Sequence, residues 1–170
     1  MFWKVGYFVR DFWKAKGPFE KVLDVGSRNI NGSVKDFIEG YKEFTGVDMI
    51  KGKDVDVVLN AHYLMQKFQP ETFDLITCCE TLEHDDRFWI TVFNMRQLLK
   101  PGGWLVVTTP GINFFKHDFP HDYYRFTEEA HKHFIQHGFE QVRVENYSDQ
   151  NSEFENKPNT ILSYGRKPKQ

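Results

Sequence analysis

The residues of this 170-residue chain that could do chemistry fall into five short runs. They are Asp24 with the loop Gly26-Ser27-Arg28-Asn29-Ile30-Asn31-Gly32, the pair Asp48-Met49, the triplet Asn60-Ala61-His62, the stretch Glu80-Thr81-Leu82-Glu83-His84, and the segment from Thr109 to Arg125 with His117 and His121. A phosphate-binding P-loop would need Gly-Lys-Ser/Thr after its glycines, so that a lysine and backbone amides meet the phosphates. The loop from Gly26 to Gly32 has no lysine. A dinucleotide fingerprint needs a second glycine two residues after the first, where the backbone closes on a pyrophosphate; Arg28 stands there. Asp48 follows Gly26 by 22 residues, close to the ~20 at which a strand-end carboxylate meets ribose hydroxyls. What remains is a glycine-poor loop flanked by Asp24, Asp48 and Glu80, which suits a positively charged nucleoside better than a phosphorylated one.

These runs need elements to bring them together. Strand-like segments at 21–25, 44–47, 55–59, 73–79 and 104–108 alternate with helix-like ones, which predicts a parallel sheet flanked by helices. A helix is expected from Ser33, where Ser33-x-x-Asp36 reads as a capping box, to Gly40. Another runs from about Asp86 to Leu99 with the apolar stripe Phe88, Val92, Met95 and Leu99, and a third starts at Thr127 and ends at Gly138. Segments 141–145 and 160–164 read as closing strands. Ligands of open parallel sheets lie beyond the carboxyl ends of the strands, and all five runs follow strands. Residues 2–15, with the pairs Phe2/Trp3, Tyr7/Phe8 and Phe12/Trp13, read as a helix on the domain edge; a membrane-surface helix is the sharper alternative.

Composition narrows the classes. Hydrophobic residues make up 40% and charged ones 27%, as in an ordinary globular domain, and the length suits one domain. A net charge of −2 offers no basic stripe, so nucleic acid is not favoured as a partner. Aromatics at 16%, seventeen residues of them Phe, imply a dense core or an aromatic-lined site. Cys78 and Cys79 are adjacent in an apolar run, so reduced core thiols are expected rather than a disulfide framework. No apolar run reaches the ~20 residues of a membrane span, and the charged N-terminus is not a secretory signal. The expectation is a cytoplasmic protein that is not integral to a membrane.

Four stretches, VLDVGSRNINGS, FTGVDM, FDLITCCETLEH and LLKPGGWLVVTTPG, stand in order over roughly residues 20–111. Together they resemble the motifs of class I S-adenosylmethionine-dependent methyltransferases. PHDYYRFTEEAHKHFIQHGF resembles the segment after strand five in a small bacterial and phage-like branch of that family. S-adenosylmethionine also answers the loop chemistry, having an adenosine, no phosphate, an ammonium and a sulfonium. The resemblance implies a Rossmann-like α/β fold, mostly parallel, with helices on both faces. It implies one methyltransferase domain over 1–170, divided into an N-terminal helix (1–19), a cofactor-binding core (20–111) and an acceptor-side loop, helix and closing strands (112–170).

The resemblance also implies roles. Asp24 and Gly26 would shape the methionine pocket, with Ser27 and Arg28 in the same loop. Asp48 would bind the ribose and Met49 would pack on the adenine face. Asn60 and Ala61, with His62 near, would read the adenine edge, and Glu80 would face the methionyl or acceptor side. Arg28-Asn29 departs from the family's glycines. For a hydroxyl acceptor the candidate bases are His84, His121 and His117, with Tyr123, Tyr124 and Arg125 as a lid or acceptor wall. Metal sites built from His84-Asp85-Asp86 with His117/Asp118 or His121/Asp122, or from His131, His133 and His137, are set aside. Helix capping by Asp85 and Asp86 and a solvated helix face account for those residues, so no metal is expected. The acceptor is expected to be a small molecule or an exposed group on a larger substrate, a sugar hydroxyl by analogy with that branch. The rival readings are a catalytically degenerate binding or scaffold protein of the same fold, and a nicotinamide-dependent oxidoreductase, which the broken glycine fingerprint opposes.

Overall fold

The computed structural model describes residues 3–117, 121–148, 150, 153 and 157–169; Phe2 and Asp118, named above, lie outside them. One seven-stranded sheet organises the chain, in the order β3-β2-β1-β4-β5-β7-β6. Its strands are β1 (Lys21–Val25), β2 (Glu43–Asp48), β3 (Val57–Val58), β4 (Phe73–Cys79), β5 (Leu99–Pro110), β6 (Glu140–Ser148) and β7 (Asn159–Arg166). β1 to β5 are mutually parallel, while β7 runs antiparallel to both β5 and β6. Chain order reverses between β1 and β4, so the ends of these two strands flank the crevice where such sheets bind ligands.

Side chains on successive strand residues face opposite ways, and both faces are covered. Leu23, Val25, Ile76, Cys78, Leu105 and Val107 join one core with Val92, Met95 and Leu98 of helix α3 (Phe88–Leu98). Val22, Leu75, Trp104 and Val106 join the other, with Val9, Phe12 and Trp13 of helix α1 (Trp3–Lys16). The N-terminal helix therefore packs on a sheet face, not on the domain edge. Its apolar side is taken up by the protein, leaving Trp3 and Tyr7 exposed. Among the described residues no helix is long and apolar enough to cross a membrane.

Three expectations need correcting. The capping box at Ser33 forms, with Ser33 Oγ accepting from Lys35 N and Asp36 Oδ2 from Ser33 N, yet it starts only a single 3-10 turn, Val34–Phe37. The ring of Phe37 fills the space left by Gly6 of α1, so α1 covers the face that a full helix at this point would cover. β3 is two residues long, followed by a turn at Ala61–Tyr63 and the short helix α2 (Leu64–Lys67). The helix capped by Thr127 is α4 (Glu128–Ala130), which widens into a π-type turn over His131–Ile135. That widening turns His131 into the core, where it is 0% exposed. Its ring nitrogens lie 2.9 Å from Thr109 Oγ1 and 2.7 Å from Ser163 Oγ. The solvated face holds for His133 and His137, not for His131.

Candidate active site

The loop after β1 crosses the end of β2. Gly26 N and Ser27 N both donate to the Val47 carbonyl, at 2.8 and 3.1 Å. Gly26 has φ +79°, and a Cβ there would run into the Thr81 side chain, so this position demands glycine. Asp24, one step back inside the sheet, accepts a 2.7 Å hydrogen bond from Thr77 Oγ1. Burial pushes its carboxyl up to about 7, and the negative charges of Asp48 and Asp54 add to the shift. Asp48 ends β2, its Oδ1 accepting from Ile50 N at 2.8 Å and its Oδ2 from Arg28 N at 3.3 Å.

The Arg28-Asn29 departure is absorbed locally. The Arg28 side chain lies along Gly52, leaving its backbone N–H toward Asp48. Asn29 Nδ2 donates to Asp54 Oδ2 at 2.7 Å, while its Oδ1 accepts from Gly32 N at 3.0 Å. Asp24, Gly26, Ser27, Arg28 and Asp48 are thus brought together. Met49 stands beside them, 56% exposed. Ser27 Oγ is buried and has no hydrogen-bond partner among the described residues.

The triplet after β3 behaves differently. Asn60 Oδ1 is occupied by His62 N at 2.8 Å, and the Ala61 and His62 carbonyls accept from Asn94 Nδ2 of α3. The buried His62 ring puts Nε2 2.6 Å from Asp85 Oδ1, and Asp85 Oδ2 accepts from Thr91 Oγ1 at 2.5 Å. His62 therefore latches this turn to α3. Asp85 Oδ1 also accepts from Arg87 N, so Asp85 partly caps the helix while Asp86 makes no such bond.

Beyond β4 the chain turns at Glu80, whose φ of +50° is rare for a residue with a side chain. Strained positions of this kind cluster at functional sites. The Glu80 carboxyl is buried with Oε1 unpartnered among the described residues, and burial beside Glu83 raises its pKa. In the next turn, Leu82–His84, the Glu83 side chain is 0% exposed and neither carboxylate oxygen has a hydrogen-bond partner among the described residues. His84 and His117 face each other edge to face with ring centroids 5.0 Å apart. Their Nε2 atoms lie 3.6 and 3.7 Å from Glu83 Oε1. The Glu83 carboxylate raises the His117 pKa above its usual range.

The segment after β5 folds back onto this turn, because Tyr123 N and Tyr124 N both donate to the Glu83 carbonyl. His84 Nδ1 bonds the His121 carbonyl. His121 thus contributes its backbone to the cluster, while its ring lies 5.5 Å from that of Tyr123 on the exposed rim. Arg125 is committed to Asp122, at 2.5 and 2.6 Å, and to the carbonyls of Phe114, Phe115 and Tyr124. Its guanidinium pulls the Asp122 carboxyl down to about 2. Tyr124 packs against Phe88 and Phe126 as a wall, whereas Tyr123, Phe115 and Ile112 are exposed around the mouth.

The sequence reading brought His84 and His117 to this site but did not single out Glu83 or Thr77. A second acid three residues after Glu80, inside a strand-end turn, was the available signal for Glu83. Thr77 carried none, since a threonine within a strand reads as ordinary β-structure.

Residues 4–147 match the family model of a methyltransferase domain. A curated relative, the ubiquinone biosynthesis O-methyltransferase of Photobacterium profundum, is 30% identical over 103 residues. That match spans 53% of this chain and 43% of the relative, less than half its length. Among solved structures, a SAM-dependent methyltransferase from Archaeoglobus fulgidus superposes with a TM-score of 0.72 at 17% identity, covering 96% of this chain and 93% of that one. The N-methyltransferase NodS from Bradyrhizobium japonicum WM9, solved with S-adenosyl-L-homocysteine, gives 0.72 at 16% identity, covering 98% and 87%.

Proposed function

The chain belongs to the class I S-adenosylmethionine-dependent methyltransferases, and on that premise we propose that it methylates a hydroxyl of a small, ring-bearing acceptor. The observation that carries this reading is the juxtaposition of two unlike half-sites at the β1/β4 switch point. One is the Asp24–Gly26–Asp48 loop, the other the Glu80–Glu83–His84–His117 cluster.

In this reading Asp48 takes the ribose hydroxyls, exchanging the long bond from Arg28 N for a stronger one. Asp24 faces the cationic methionyl end, where a positive charge lowers its raised pKa and restores the carboxylate. Met49, exposed beside Asp48, covers the adenine, and the His62 latch holds the turn that frames it. The acceptor hydroxyl sits against the cluster. Its oxygen forms the new bond to the methyl carbon, the S–CH3 bond breaks with its electron pair going to sulfur, and the hydroxyl proton passes into the cluster. The work of the fold is alignment and desolvation. His84 and His117 serve the acceptor side through their side chains, and His121 serves it through its carbonyl.

The exposed rim of Ile112, Phe115 and Tyr123 offers flat apolar surface for the face of a sugar ring or an arene, and the curated relative is an O-methyltransferase. The degenerate-scaffold alternative draws support from the single 3-10 turn that stands where a full helix was expected after the cofactor loop. Thermal unfolding with and without S-adenosylhomocysteine separates the two. At about a hundredfold excess over Kd, linkage gives roughly 2.7 kcal/mol, or about 5–10 °C for this size. Asp48→Ala should abolish the shift. A wild-type protein that shows none favours the scaffold.

A further inference from the structure

We infer that Glu83, His84 and His117 form a binding site for one divalent transition-metal ion of the zinc or iron(II) class, set into the acceptor side of the cleft. This rests on the reading of that side as the acceptor site.

The hydrogen bonds fix which nitrogen of each ring faces Glu83. His84 Nδ1 bonds the His121 carbonyl, which can only accept, so Nδ1 donates there and Nε2 is the nitrogen left to face Glu83. His117 Nδ1 lies 3.4 Å from the Phe115 carbonyl and 3.7 Å from Asp122 Oδ2, again only acceptors, which likewise leaves its Nε2 to face Glu83. Both Nε2 atoms therefore face Glu83 Oε1, at 3.6 and 3.7 Å. Glu83 is wholly buried and neither of its oxygens has a hydrogen-bond donor among the described residues. A wholly buried carboxylate with no hydrogen-bond donor carries a heavy desolvation cost, which imidazoles 3.6 and 3.7 Å away offset only in part.

A cation among the three atoms removes that cost. All three lie within 4.8 Å of one another. Ligands about 2.1 Å from a tetrahedral ion stand roughly 3.4 Å apart, close to the spacing seen and longer than a hydrogen bond. Two imidazoles with one carboxylate form a donor set suited to zinc or iron(II) rather than to magnesium or calcium, which favour all-oxygen sites. Three protein ligands leave positions open, and an acceptor oxygen in one of them would be polarised by the ion.

The surroundings match this role. Metal-bound imidazoles characteristically give their second N–H to a carbonyl or carboxylate, as both rings do here. Asp122, beside His117, is itself fixed by Arg125. The other compatible group, His62, Asp85 and Asp86, is already satisfied, since His62 and Asp85 bond directly at 2.6 Å and Thr91 takes the second Asp85 oxygen.

The test is a titration of the full chain, freed of metal with EDTA, with Co2+ followed by visible absorption, then competition by Zn2+. One equivalent should bind with ligand-field bands and be displaced by Zn2+. Glu83→Gln and His117→Ala should each weaken binding by about tenfold or more, while His133→Ala leaves it unchanged. Absence of stoichiometric Co2+ and Zn2+ binding to the wild type overturns the site, as does binding that both cleft substitutions leave intact. The wild-type titration decides even where a variant fails to fold. An S-adenosylhomocysteine shift measured on the same samples tests the methyltransferase reading separately. Its loss with metal binding intact counts against that reading alone.

Discussion

Asp24→Asn should make the ligand-free protein more stable, by an amount that depends on pH. Native Asp24 keeps its proton to about pH 7 because it is buried in the sheet, whereas an unfolded carboxyl releases it near 3.8. Its stabilising effect is therefore fully present below about pH 4 and is lost as pH rises to about 7. Asparagine keeps the Oδ1 that accepts from Thr77 Oγ1 and has no ionisation to suppress. Between pH 5 and pH 8 the variant's advantage should grow by up to about 2.5 kcal/mol, from roughly 1.4 kcal/mol per pKa unit. For a chain of this size that is about 5–10 °C in Tm. Thermal and urea unfolding of both proteins at the two pH values reads the difference, and titrations common to both cancel. An advantage that is the same at pH 5 and pH 8 would refute a suppressed ionisation at Asp24. The same substitution should weaken S-adenosylhomocysteine binding, so that stability and ligand affinity move in opposite directions.

Arg125→Ala removes the partner that holds Asp122 near pKa 2. It should cost roughly 2 kcal/mol at neutral pH, shrinking as pH falls from about 4 toward 2; a loss independent of pH would contradict the pairing. His131 is held neutral by burial, its pKa pushed down to about 3. Stability from it is fully present above about pH 6.5 and is lost as pH falls, at about 1.4 kcal/mol per pH unit. His131→Gln should flatten that acid limb in urea titrations, and equal slopes for variant and wild type would rule the mechanism out.

Much of this protein is local enough to be read from the chain. β4 runs Phe73–Cys79 as expected, because an apolar run bounded by turn residues has one sensible fate in a parallel sheet. Asp24, Gly26 and Asp48 stood out because strand ends, a glycine at a turn and the spacing to the next strand-end acid are one-dimensional signals. The capping box at Ser33 was legible for the same reason, since its bonds span three residues.

What followed the cap was not legible. Whether one turn or a helix grows from Ser33 depends on Phe37 meeting Gly6, two residues far apart in sequence. His131 looked like one of three histidines on a helix face, but partners on β5 and β7, at Thr109 and Ser163, place it in the core. The Glu83, His84 and His117 cluster is of this second kind. Residue types and the parallel sheet follow from patterning along the chain. The orientation of each imidazole, and the burial of a carboxylate without a donor, were decided only when the loop after β5 folded back onto the turn after β4. Such contacts join segments some 40 residues apart, and no pattern along the chain encodes how two such distant side chains meet.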